Sequence, residues 1–124
     1  VDNEGKQHKA CLFIDETSQP SIELQSDIFN SGKINCEKLF EGFQDLHKLL
    51  DDRRFKLLCM GYRYDVYPSG MALSMGHGTL AYVHILGQPA TQLVDLFEPT
   101  NELESIVSYE EQISYKRKWA DSLR

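Results

Sequence analysis

The chain predicts an α+β domain: an antiparallel sheet packed against one main amphipathic helix, with a second helix toward the C-terminal end. Three observations carry this expectation. Apolar residues recur at helical spacing over about 36–52. Over about 55–86 they alternate, or run in short stretches, between turn residues. No repeat, low-complexity tract or Pro/Gly-rich linker divides the 124 residues. A composition of 41% hydrophobic and 26% charged residues is that of a globular chain, and the length suffices to bury a core without disulfide staples.

Residues 1–8 are polar and read as a mobile tail, which leaves 9–124 as the domain. They contain no apolar run of the kind a secretory leader uses, and Val1 in place of an initiator Met is what either trimming or truncation would leave. Ala10-Cys11-Leu12-Phe13-Ile14 predicts a short buried strand, closed by the turn residues from Asp15 to Pro20. Ile22 and Leu24 alternate with Glu23 and Gln25, so a second strand is expected to pair back as a hairpin before Ser31-Gly32 breaks the chain. In the helix, Cys36, Leu39, Phe40, Phe43, Leu46 and Leu50 share one face. Asn35 is expected to cap it, with Ile34 stapled onto Leu39. Gly42 weakens it by ~1 kcal/mol relative to Ala.

From Phe55 the pattern changes to strand. Pro68-Ser69-Gly70 is a turn, Met71, Leu73 and Met75 alternate with smaller residues, Gly76-His77-Gly78 offers a second turn, and 79–86 resumes a strand. Three strands joined by short turns make an antiparallel meander, to which 92–97 adds a possible fourth. A last helix is expected near Tyr109, where Ser108 and Glu111 have capping-box spacing and Lys116-Arg117-Lys118 follow the acids. Its apolar face of Ile113, Trp119, Ala120 and Leu123 is thin, which suits a helix lying on the surface of the sheet.

Cys11, Cys36 and Cys59 are an odd, scattered set among apolar neighbours. That is neither a disulfide framework nor a zinc pattern, so the expectation is three buried, reduced thiols in a cytoplasmic protein without metal or cofactor. No apolar run approaches the ~18–20 residues of a membrane span. The net charge of −6 is unevenly laid out. Residues 1–63 hold nine Lys/Arg against eleven Asp/Glu, whereas 64–115 hold no Lys or Arg and seven acids: Asp65, Asp95, Glu98, Glu102, Glu104, Glu110 and Glu111. The basic end at 116–124 is too small to neutralise a phosphate backbone, so direct nucleic-acid binding is not expected.

Candidate chemistry is sparse. His77, between two glycines, is the obvious general acid or base, yet no nucleophile or orienting carboxylate stands at a telling spacing, and a turn histidine explains it. His77 with His84 lacks the further ligands a metal needs. Apolar neighbours make Cys59 an inert thiol rather than a nucleophile. Asp51-Asp52 beside Arg53-Arg54 reads as a solvated charge cluster, and no glycine loop matches a phosphate cradle. Alternation along a strand would set Tyr62, Tyr64 and Val66 on one face and Arg63, Asp65 and Tyr67 on the other, a row suited to a polar interface.

No family motif is recognisable. The expected function is that of a small acidic cytoplasmic protein that neutralises or escorts a basic protein partner, most concretely an immunity protein for a toxic nuclease. Its contacts would be Arg63, Asp65, Tyr67, Asp95, Glu98, Glu102 and Glu104. The alternatives are a small enzyme using His77, and a structural or chaperone subunit that buries a sheet edge in a homodimer.

Overall fold

In the computed structural model residues 1–70 and 79–124 are described. The alternation at Met71, Leu73 and Met75 and the Gly76-His77-Gly78 turn lie outside the described residues. Strands β1 (Ala10–Asp15) and β2 (Ser21–Ser26) form the expected hairpin, in unbroken antiparallel register from Ala10 opposite Ser26 to Asp15 opposite Ser21. A two-residue strand, β3 (Ile34–Asn35), pairs with the other side of β2. Period-2 geometry then decides what is covered. Ile22 and Leu24 are buried, and Leu12 and Ile14 stand opposite them on the same face. Cys11 and Phe13 fall on the other face and are exposed. The expectation of three buried thiols therefore holds for Cys59 alone. Cys11 is exposed and Cys36 half-buried, and all three are free of disulfides.

Helix α1 (Leu39–Arg53) covers the inner face of this sheet with Leu39, Phe43, Leu46 and Leu50. It begins later than the sequence predicts. Asn35 pairs with Ser21 in β3, so it cannot serve as the cap, and that position falls to Lys38, which makes no side-chain capping bond. Gly42 faces β2: a Cβ there would meet Cys36 Sγ at 2.7 Å and Ile22 Cγ2 at 3.2 Å. The cost in helix propensity thus permits close approach of helix to sheet. At the other end Arg54 takes the left-handed conformation (φ 59°). Its N–H donates to the Asp51 carbonyl and that of Phe55 to the Leu50 carbonyl, the 5→2 and 6→1 pair of a Schellman termination.

The second half departs from a simple reading of period 2. Residues 55–65 do not make one long strand. They include a 3-10 turn, η1 (Met60–Tyr62), and approach the later chain through isolated bridges, Cys59 with Pro99 and Arg63 with Ile106. The meander lies further along: β4 (Val66–Tyr67), β5 (Leu80–Val83) and β6 (Leu93–Asp95) pair antiparallel in chain order. The fourth strand expected at 92–97 is its third member. Val66, Ala81 and Val94 carry its buried face. A second 3-10 turn, η2 (Leu103–Ser105), leads into helix α2 (Tyr109–Ser122).

Between α1 and η1 the core is aromatic. The Tyr62 ring stacks on Phe43 at 4.2 Å and on His47 at 4.1 Å, and its hydroxyl donates to the Phe43 carbonyl at 2.6 Å. The polar handle of a fully buried tyrosine is thereby satisfied. Gly61 makes room for this packing, since a Cβ there would sit 2.5 Å from the Phe43 ring and 2.8 Å from the Leu96 carbonyl oxygen. Residues 1–8 lie back along the chain. Val1 and Lys56 exchange hydrogen bonds, and His8 stands between Asp2 at 2.9 Å and Asp27 at 3.2 Å. Among the described residues no helix is long and apolar enough to cross a membrane.

Candidate functional site

The polar groups singled out in the 62–67 run converge on one ion-pair network. Arg63 meets Asp65 two-pronged, Nε to Oδ1 at 2.9 Å and Nη2 to Oδ2 at 3.1 Å, and its Nη1 meets Glu102 Oε2 at 2.7 Å. Asp65 is buried and Arg63 nearly so. The carboxylates favour the protonated guanidinium, Asp65 foremost, and push the Arg63 pKa up. Arg63 in turn lowers that of Glu102, which also accepts from the Ser105 hydroxyl at 3.2 Å. Bidentate geometry of this kind fixes orientation as well as charge. It ties η1 to the segment before η2.

Tyr67 is likewise engaged within the fold. Its ring stands edge-on to Phe40 at 5.4 Å, Lys116 Nζ lies 5.3 Å from the ring centre, and Gln44 Nε2 donates to its hydroxyl at 3.3 Å. Burial raises its pKa. Asp65 and Tyr67 thus do not form a row with Arg63 on an open strand face. The 3-10 turn at Met60–Tyr62 breaks the alternation, and the side chains fold inward onto α1 and η2.

The acids of the later chain, Glu102 of the network included, face outward. Asp95, Glu98, Glu102 and Glu104 are exposed along 95–104, as are Glu110 and Glu111 at the start of α2. The 58–63 segment pins this stretch in place: Met60 N–H donates to the Glu98 carbonyl, Gly61 N–H to that of Leu96 and Thr100 N–H to that of Leu58. Asp95 accepts from Thr79 Oγ1 at 3.1 Å and from Phe97 N–H at 2.9 Å. Among the described residues no Lys or Arg forms an ion pair with Asp95, Glu98 or Glu104.

Two polar residues to which sequence reasoning gave no place in the site organise this region. Gln112, buried in the first turns of α2, directs its side-chain amide at the carbonyls of Gly61 (2.8 Å), Arg63 (2.9 Å) and Val66 (2.9 Å). A lone Gln on a thin helical face gave no signal of that role. His47 Nε2 donates to the Val107 carbonyl at 2.8 Å, which leaves Nδ1 buried with no partner among the described residues. Burial pushes its pKa down. His84 is buried flat against Trp119 at 4.0 Å, and its pKa too is lowered, by burial first and then by Lys116. Among the described residues neither histidine is paired with a nucleophile. Among the described residues no group of three or more His, Cys, Asp or Glu is placed to hold a metal ion.

Apart from the acidic stretch, an apolar hollow stands out among the described residues. It has a volume of about 280 Å³ and lies between the β1–β2 hairpin and the 55–59 and 97–99 segments, with Leu12, Leu24, Phe29, Phe55, Leu57 and Phe97 among its walls. Compared with known proteins, the chain matches no family and no curated sequence.

Proposed function

We propose that this protein is a small acidic binding protein of the cytoplasm that neutralises or escorts a basic protein partner, in its most concrete form an immunity protein for a toxic nuclease. The observation that supports this reading is the exposed strip Asp95, Glu98, Glu102 and Glu104 within a 52-residue stretch, 64–115, that has no Lys or Arg. Arg63, the nearest preceding cation, is already neutralised by Asp65 and Glu102. A field of one sign on an exposed strip accelerates encounter with a complementary surface and selects against acidic ones. Arg63, held by Asp65, serves such an interface by fixing Glu102 in place, and the outward carboxylates make the contacts.

The test begins with isolation of the native partner from the source cell. Association rates are then measured for the native chain and for Glu98→Lys with Glu104→Lys. Screening shrinks the Debye length from ~10 Å at 0.1 M salt to ~3 Å at 1 M. The reading requires that salt and charge reversal both slow association at unchanged fold. An acidic partner, or rates indifferent to both, refutes it.

A further inference from the structure

Strand β1 is an edge. β2 occupies one side, and among the described residues no other backbone group bonds to it. Natural edges are protected by charges, prolines, bulges or a covering segment. Ala10 to Ile14 has no charge and no proline, and its register with β2 is unbroken. Phe13 is 53% exposed and Ile14 36%. Such an edge is a template for another extended strand.

The residues of β1 identify that strand as a second β1. When two copies pair antiparallel about a twofold axis perpendicular to the sheet, opposed side chains share a face. A residue can then oppose its own copy but never its immediate neighbour. Centring on Leu12 sets Cys11 opposite Phe13, Ala10 opposite Ile14, and Lys9 opposite Asp15 of the other copy. Opposite charges close both ends, and Lys9 is exposed and has no ion pair among the described residues. Centring on Phe13 would leave Lys9 opposite Thr17 and Cys11 opposite Asp15. Centring on Cys11 would set Lys9 against Phe13.

We propose that β1 pairs with β1 of a second copy, antiparallel and centred on Leu12, so that two three-stranded sheets become one of six strands. Leu12 and Ile14 extend the apolar inner face across the axis, and Phe13 covers Cys11 of the other copy on the outer face. The contact uses none of the acidic strip. A pairing this short buries less than the ~1,200–2,000 Å² of a standard stable interface, so the expected dissociation constant is of order 10–100 µM.

Sedimentation equilibrium of the native chain up to about 0.5 mM spans that range. A monomer–dimer equilibrium is expected. Lys9→Asp and Asp15→Lys alone should each weaken it about tenfold, and together they should restore it, because cross-strand charge pairs contribute ~0.2–1 kcal/mol and each occurs twice. Asp15 also accepts the Thr17 N–H at 2.9 Å, so thermal melts accompany the variants. A second arm reads the register without altering charge. In a Cys11→Ser background, Leu12→Cys should form an intermolecular disulfide on mild oxidation. Phe13→Cys should not, because its thiols lie on a diagonal with Cα atoms ~7–8 Å apart, beyond direct bridging. A native chain that stays monomeric overturns the proposal. So does a dimer indifferent to the charge swap, or one cross-linked by Phe13→Cys instead of Leu12→Cys.

Discussion

The side-chain amide of Gln112 lies 2.8 Å from the carbonyl oxygen of Gly61, 51 residues earlier in the chain. The same nitrogen reaches Arg63 and Val66, so two N–H bonds are shared among three carbonyls. This grip is what holds 61–66 as a tight bend instead of an extended strand, and it positions Arg63 over Asp65.

Replacing Gln112 by Leu keeps much of the bulk but leaves those buried carbonyls without donors. An unsatisfied buried polar group costs ~1–3 kcal/mol, and adjacent losses are not additive. The expected loss is about 2–4 kcal/mol, read as a lower midpoint in urea denaturation with little change in slope. A loss below ~1 kcal/mol means that the bend is held by other contacts.

Arg54 is the one non-glycine residue with positive φ among the described residues. Its side chain is exposed and makes no ion pair among those residues. Arg54→Gly removes the steric cost of the left-handed conformation, offset in part by the greater freedom of glycine in the unfolded chain. A net gain of about 0.5–1 kcal/mol is expected, seen as a rise of a few degrees in Tm. A fall in Tm would show that the arginine side chain contributes more than the conformation costs.

The buried histidines fix the sign of the acid response. An unfolded His titrates near 6.5, whereas burial lowers the folded pKa of His47 and, in the same direction, of His84. Below that unfolded value the unfolded chain therefore binds more protons than the native one, and stability falls as pH drops through the window beneath ~6.5. Asp51 opposes the shift at His47 without reversing it. Thermal melts at pH 7.5 and 5.5 check this. His47→Gln, which can still donate to the Val107 carbonyl, should narrow the gap between the two without abolishing it, because His84 remains. An unchanged gap rules out His47 as a contributor.

Much of the fold was legible where one face of a regular element is buried. The 3.6 period of α1, the alternation of Ile22 and Leu24, and the Ser108–Glu111 capping box all appear as read. In that box each side chain bonds the other residue's N–H at 3.2 Å. The sequence misled where backbone polarity is satisfied by side chains far away. Nothing local in 61–66 announces that Gln112 will take its carbonyls, so a run of Tyr, Arg, Tyr, Asp, Val and Tyr imitates a strand. Asn35 imitates a cap because its role in β3 depends on Ser21, fourteen residues earlier. Of the seven residues expected to form a site, Asp95, Glu98, Glu102 and Glu104 are exposed, whereas Asp65 is buried in its ion pair and Arg63 and Tyr67 are largely covered. Charge layout predicted outward acids well, because unpaired carboxylates seldom enter a core. Paired ones obey a different rule, set by where their partner lies.

The fastening of α2 to the end of α1 has a consequence in time. His47 donates to the carbonyl of Val107, and Asp51 accepts from the N–H of Tyr109, 60 and 58 residues later in the chain. At synthesis rates of ~5–20 residues per second, the end of α1 waits about 3–12 s on the ribosome before its partners exist. Throughout that interval the His47 imidazole lacks the cover of Tyr109 and the carbonyl of Val107. A chaperone that recognises exposed aromatic surface therefore has seconds, rather than milliseconds, in which to bind the nascent chain.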